Sequence, residues 1–469
     1  MLSTRTEKDS LGSIELPADA LYGAQTARAL QNFPISGMRA HPALIRAIGM
    51  VKRAAAEING QLGALTPERA HAIAQAAEEV IDGALAQHFL VDVFQAGAGV
   101  SFHMNANEVI ANRANQLIAE SRGLPLDEAL GRYEFVHPND HVNFGQSTND
   151  VFPTAMRLAT LLALEDLYPV LDSLSAAFSD KGREFDSVLK SGRTHMQDAV
   201  PIRLGQEFCA YAVAVRRCRN RLRRSADCLR EIGLGGSAVG TGINTHPGYR
   251  TLAIKHLSDI SGQHLIPAED MRWAMQSNAA MAEVSASLRN LSLEVIRISN
   301  DLRLLSSGPN TGFNEIQLPP LQPGSSIMPG KVNPVLPELA SMVAFQVIGN
   351  DTATALAVQA GQLELNVMMP TMAYSTLQSI TLLTNMLRQL DHHCIRGIKA
   401  NRDRCEFYAH STVALATALN PYIGYARAAE IAKQSIASGR SIIDLVREQN
   451  LLTESQLTEI LNPTRMTGE

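Results

Sequence analysis

The chain is poor in cysteine, has no long apolar run and carries no large excess of one charge, and each shortage removes a class of function. Its five cysteines (Cys209, Cys218, Cys228, Cys394 and Cys405) are odd in number and lack CxxC spacing, so neither a disulfide framework nor a zinc site is indicated. No run approaches the roughly 18 apolar residues that span a bilayer. The N-terminal MLSTRTEKDS has no apolar signal core, and the expectation is a reducing, cytoplasmic compartment. A formal charge of −5 on 469 residues argues against a nucleic-acid or membrane-surface partner and leaves a small molecule as the expected guest. Nucleotide loops are missing too. In GSSIMPGKVNP (324–334) five residues separate the glycines and Val332 follows Lys331, whereas a phosphate loop needs four, and Ser or Thr after the lysine. GLGGSAVGTG (233–242) has the wrong spacing after Gly235 for a dinucleotide fingerprint and no hydrophobic strand before it, so it reads as a structural turn.

Helical periodicity is abundant. Met281, Val284, Leu288, Leu291, Val295, Ile298, Leu302 and Leu305 alternate steps of three and four before Gly308 and Pro309, the pattern of a long helix with a coiled-coil-like seam. Leu377, Ile380, Leu383, Leu387, Leu390 and Cys394 repeat it. Stretches rich in Ala, Leu and Met leave strands hard to place in the middle of the chain. The expected fold is all-α: an N-terminal domain (1–144), a central bundle of long helices (145–400) and a small C-terminal domain (401–469). Within the centre, punctuation falls at GQSTND (145–150), SGRTH (191–195), GLGGSAVGTG and the 321–334 loop, each at the apparent end of a long helix. Loops on a rigid scaffold are where chemistry usually sits.

Several other features read as packing. DHHC (391–394) lacks the cysteine-rich and membrane context of an acyltransferase, and Cys394 continues an apolar stripe. Seven arginines between Arg216 and Arg230 have no interleaved aromatics and read as a solvated or subunit-contacting face. His195 shares its turn with Thr194 and Gln197, and Ser147, Thr148 and Asn149 stand where a helix near Asp150 would be capped. Taken together the loops supply neutral donors and one cation, without a metal cluster or catalytic cysteine. Such a set suits a dicarboxylate guest, because charge-assisted hydrogen bonds hold carboxylates and absorb the extra charge of an enediolate.

GSSIMPGKVNP, with ELPADALYGAQTARALQNFPIS, HPNDHVNFGQSTNDVFPT, SGRTHMQDAVPIRLGQEF, GGSAVGTGIN, NDLRLLSSGP and NPYIGYARAAEIAK, resembles the aspartase and fumarase superfamily, block by block and essentially end to end. LGQEF, KVNPVLPE and AGQLELNV lean towards its aspartate ammonia-lyase branch. The resemblance implies a homotetramer with a twenty-helix core, active sites each built from loops of three subunits, and no metal or organic cofactor. It implies that Ser325 is the catalytic base on a flexible loop, activated by backbone donors and by Lys331. Ser147, Thr148 and the backbone of Ser326 would clasp the carboxylate that becomes the enediolate. Lys331 and Asn333 would hold a carboxylate, while Asn149, Thr194 and His195 would face the other carboxylate and the leaving amine. His137, Asn139 and Asp140 form a candidate second anion site. The implied reaction is anti elimination of ammonia or a small amine from L-aspartate or an analogue; a fumarate hydratase and a non-catalytic relative are the alternatives.

The chain departs from that pattern in three places. Where aspartases read GAGTS and then NMN, it has GAGVSFHMN, which puts Val100 beside Ser101 in the expected pocket and His103 in place of asparagine. Met369 stands where a charged residue is usual. Either His103 or water supplies the hydrogen bond that a valine at position 100 cannot make, or the less polar pocket accepts a different amine or a modified dicarboxylate.

Overall fold

The computed structural model describes residues 3–126 and 129–468; Met1 and Leu2 of the N-terminal segment lie outside it. The fold is mostly helical. A hairpin of β1 (Thr4–Asp9) and β2 (Gly12–Pro17) is followed by α1 (Ala24–Asn32), α2 (Pro42–Gln61), α3 (Pro67–Ile81) and α4 (Val100–Ser121). Next come α5 (Thr148–Glu184), the hairpin of β3 (Leu189–Thr194) and β4 (Gln197–Arg203), and α6 (Leu204–Ala226). The chain continues through α7 (Tyr249–Ser261), α8 (Met271–Gln276), α9 (Ala279–Leu305), α10 (Val335–Gln359) and α11 (Met369–His393), and ends in the short helices α12 (Arg402–Ser411) to α16 (Glu454–Ile460). No helix among the described residues is long and apolar enough to cross a membrane.

The chain folds into two compact units. The first contains Met1–Tyr168, Asn220–Asn290 and Phe345–Leu383, and the second Pro169–Arg219, Leu291–Ala344 and Thr384–Glu469. The chain passes between them within α5, α6, α9, α10 and α11. In the first unit the buried stripe of α2, formed by Ile45, Ile48, Lys52, Ala55 and Asn59, follows helical spacing yet includes a lysine and an asparagine. In the second, Leu415, Leu419, Ile431, Leu445, Val446 and Leu457 form the apolar centre of the C-terminal helices.

Both apolar seams expected from periodicity are buried, from Met281 to Leu305 on α9 and from Leu377 to Leu390 on α11, with Cys394 just beyond. Of the arginines on α6, Arg216, Arg217, Arg221, Arg223 and Arg224 are exposed. The middle of the chain does, however, contain strands. Ser191 to Thr194 belong to the β3–β4 hairpin rather than to a helix end. Its short polar strands, interrupted by a bulge between Ser191 and Arg193, do not show the apolar alternation that marks a half-buried strand.

Candidate active site

In the first unit, GQSTND forms the start of α5 and its polar groups are engaged. Ser147 caps the helix: its Oγ accepts from the Asn149 backbone N–H (3.2 Å), while its own N–H donates to Asp150 Oδ1 (2.9 Å), a reciprocal cap. The other Asp150 oxygen accepts from the backbone N–H groups of Gly235 (2.9 Å) and Ser237 (3.0 Å). Burial raises the Asp150 carboxyl from 3.8 to about 6, against the pull of those three N–H groups and of Lys52. The Asn149 amide donates to Ala238 O (2.7 Å). The glycine-rich 233–242 turn is thus a clamp on Asn149 and Asp150. Gly240, at φ +86°, lies so close to the Met271 carbonyl that a Cβ would sit 2.7 Å from it, which explains the glycine there.

Thr148 Oγ1 lies 2.7 Å from His103 Nδ1, and His103 Nε2 lies 2.7 Å from Lys52 Nζ. Lys52 is 0% and His103 1% exposed. With both ring nitrogens engaged, His103 has no free nitrogen with which to replace a substrate contact directly. Val100 is exposed at the start of α4 and Ser101 is buried behind it. The preceding strap is held by a bond from the Ala98 N–H to Val367 O (2.7 Å), and a Cβ on Gly99 would meet the Phe152 ring at 2.3 Å. Met369 is fully buried, so it does not make an open pocket less polar. Its side chain belongs to the core at the start of α11.

In the second unit, the loop 324–334 is exposed and bonds mainly to itself. Ser325 Oγ accepts from the backbone N–H groups of Met328 (2.9 Å) and Ile327 (3.3 Å). The Asn333 amide closes the loop base by donating to Gly324 O (2.5 Å). Gly324 is irreplaceable by geometry, because a Cβ there would lie 2.1 Å from Lys331 O. Ser326 and Lys331 are exposed, and the ammonium has no hydrogen-bond or ion-pair partner among the described residues. Lys331 and Asn333 line a cavity of about 920 Å³ with Asn300, Arg303 and Ser307.

Thr194 and His195 sit at the exposed tip of the β3–β4 hairpin, where His195 (φ +56°) and Met196 (φ +60°) both adopt left-handed backbone, the conformation a tight two-residue turn requires. The tip is anchored from below. Buried Glu315 pairs with Lys190 (3.0 Å) and Arg193 (2.9 Å), and the Arg193 guanidinium lies over the rings of Phe313 and Tyr408. The candidate residues therefore form two groups: Val100, Ser101 and Ser147 to Asn149 in the first unit, and Thr194, His195, Ser325, Ser326, Lys331 and Asn333 in the second.

The HPND segment caps a short helical turn. His137 Nδ1 accepts from the Asp140 N–H (3.2 Å), and His137 and Asn139 line a cavity of about 500 Å³ that also carries Glu7, Asp9, Arg28 and Glu108. Lys52, bonded to the His103 ring that meets Thr148, and Asp150, bonded to Ser147, were not singled out by the sequence. A lysine on the buried spacing of α2 was the available signal.

The Lyase family profile matches residues 12–349, and that of the fumarase C C-terminus matches 415–468. This chain belongs to the aspartase and fumarase lyase family. It is 51% identical over 467 residues to an aspartate ammonia-lyase of Pseudomonas aeruginosa, covering 99% of this chain and 97% of that one. It is 47% identical over 464 residues to a class II fumarate hydratase of Halobacterium salinarum, covering 99% and 97%. Its fold matches the crystal structure of a fumarate lyase:delta crystallin from Brucella melitensis bound to cobalt, with TM-score 0.95, 49% identity and all of both chains covered. Among the described residues, no group of three or more His, Cys, Asp or Glu is placed to hold a metal ion.

Proposed function

We propose that this lyase removes ammonia from L-aspartate to give fumarate, with Ser325 as the base. The observation that carries the chemistry is the Ser325 oxygen accepting from two backbone N–H groups. A serine hydroxyl is a weak acid, and two fixed dipoles aimed at its oxygen, with the Lys331 charge six residues on, favour the alkoxide. The alkoxide takes the C3 proton. The C–H electron pair moves into the adjacent carboxylate, forming an enediolate held by Thr148, Ser147 and the Ser326 N–H. Its collapse forms the C2–C3 double bond and expels the amine from C2. Lys331 and Asn333 bind carboxylate, and Asn149, Thr194 and His195 face the second carboxylate and the leaving group. The full-length likeness to aspartate ammonia-lyases supports aspartate as substrate.

A homotetramer with shared sites fits the apolar side chains that α10 leaves exposed, Leu339, Met342, Phe345 and Leu356, since such a stripe calls for a partner. The free cysteines fit a cytoplasmic location. The 47% identity to a class II fumarate hydratase keeps a hydroxyl leaving group as the second reading. Ultraviolet detection of fumarate with L-aspartate, L-malate and N-substituted aspartates separates these. Turnover of L-aspartate well above the others is expected, and a preference for L-malate overturns the ammonia-lyase assignment.

A further inference from the structure

We propose that His103 is a positioning residue that makes the Thr148 hydroxyl a one-way donor towards the substrate carboxylate, through a directed hydrogen-bond chain beginning at buried backbone carbonyls. This rests on the reading of Thr148 as a carboxylate contact.

The direction of the chain follows from what each group can do. The Gln146 amide nitrogen donates to Val142 O (3.0 Å), and the Asn143 amide nitrogen to Gln146 O (3.2 Å). Carbonyls only accept, so both amides are fixed with their oxygens turned to Lys52, at 2.9 Å from Gln146 and 3.0 Å from Asn143. An ammonium has three N–H donors and no acceptor. Two go to these oxygens and the third meets His103 Nε2 at 2.7 Å. Nε2 must then be bare, and the ring proton sits on Nδ1, from which it is donated to Thr148 Oγ1 at 2.7 Å. Having accepted this bond, the Thr148 oxygen directs its own hydrogen away from His103. Burial pushes the Lys52 ammonium well below its usual range, and Asp150 is the acidic group that pulls it back towards protonation and balances its charge.

A neutral Lys52 reverses everything. Its lone pair would accept from Nε2–H, Nδ1 would accept from Thr148, and the hydroxyl would turn its lone pairs, not its hydrogen, to the substrate. The two arrangements share all heavy-atom distances; they differ in the one proton that a neutral Lys52 has given up and in where the remaining hydrogens sit.

Neutron diffraction from deuterated wild-type crystals separates them. Deuterium on His103 Nδ1, three deuterons on Lys52 Nζ and a Thr148 O–D pointing away from the ring are expected; deuterium on Nε2 with the Thr148 O–D aimed at Nδ1 overturns the proposal. Kinetics give a second arm. His103→Leu should lower kcat/KM for L-aspartate by about tenfold, the effect of one misdirected hydrogen bond. It should cost nothing further in a Thr148→Val background, and cost about tenfold again with Thr148→Ser. Equal losses in all three backgrounds would refute it. Absence of aspartate turnover by the wild-type protein would instead count against the functional reading, leaving the neutron result as the test of the chain.

Discussion

The α4–α5 corner of the first unit and the 324–334 loop of the second are built on opposite principles. At the corner, Lys52, His103 and Asp150 are buried, their polar atoms are partnered, and Thr148 is at the end of a fixed network. The loop is exposed, with Ile327 83% accessible, and its bonds run within itself. A group that stabilises charge works best preorganised, whereas a base that must close over a substrate needs a segment with few ties to the body. Substitutions at the corner should therefore cost stability and activity together, and those in the loop activity alone.

The largest effect is expected from Ser325→Ala. It should lower kcat for L-aspartate at least about 1,000-fold, with melting temperature and assembly unchanged by calorimetry and light scattering. Lys52→Met tests the other side. It leaves the Asn143 and Gln146 oxygens and His103 Nε2 without their buried donor, and should cost about 3 kcal/mol in denaturant unfolding as well as activity. A variant as stable as wild type would break the contrast. Gly324→Ala forces the loop ends apart and should lower kcat by roughly 10- to 100-fold, as misplaced catalytic groups do. Its unfolding midpoint should stay at the wild-type value; a lowered midpoint would mean the loop is tied to the core.

The smallest effect concerns pH. Burial first, and the Lys52 charge second, hold His103 well below 6.5. The unfolded chain therefore takes up a proton near 6.5 that the folded chain refuses, and stability is complete above that value and lost as pH falls below it. Asp150 opposes this: its folded carboxyl, at about 6 instead of 3.8, gains its proton first, so folding is favoured as pH falls through that window. His103→Asn removes the first contribution and keeps the second. Its melting temperature should fall less steeply than wild type below pH 6.5, and parallel curves would show that the ring is not held neutral.

The sequence made the helices legible because their seams repeat without interruption, as at Met281 to Leu305 and Leu377 to Leu390. It made the loop residues legible as a resemblance carried by GSSIMPGKVNP and its companions. The β3–β4 hairpin was not legible, since its shape comes from the Glu315 anchor and the left-handed turn at His195 and Met196 rather than from alternation. The surroundings of Met369 and His103 were not legible for a related reason. Whether a substituted residue faces the pocket or the core depends on neighbours distant in the chain: Lys52 for His103, and the buried start of α11 for Met369.

The central claim is that the loop brings residue 325 to the C3 hydrogen of a substrate whose carboxylate is held by Thr148. A crystal structure of the Ser325→Ala variant with L-aspartate bound tests it most directly. The expected result is a closed loop with the Cβ of residue 325 about 3.5 to 4 Å from C3, as near-attack geometry for the missing oxygen requires, and a substrate carboxylate within hydrogen-bond distance of Thr148 Oγ1. A closed loop with residue 325 turned away from C3, or a carboxylate bound without Thr148, would contradict it.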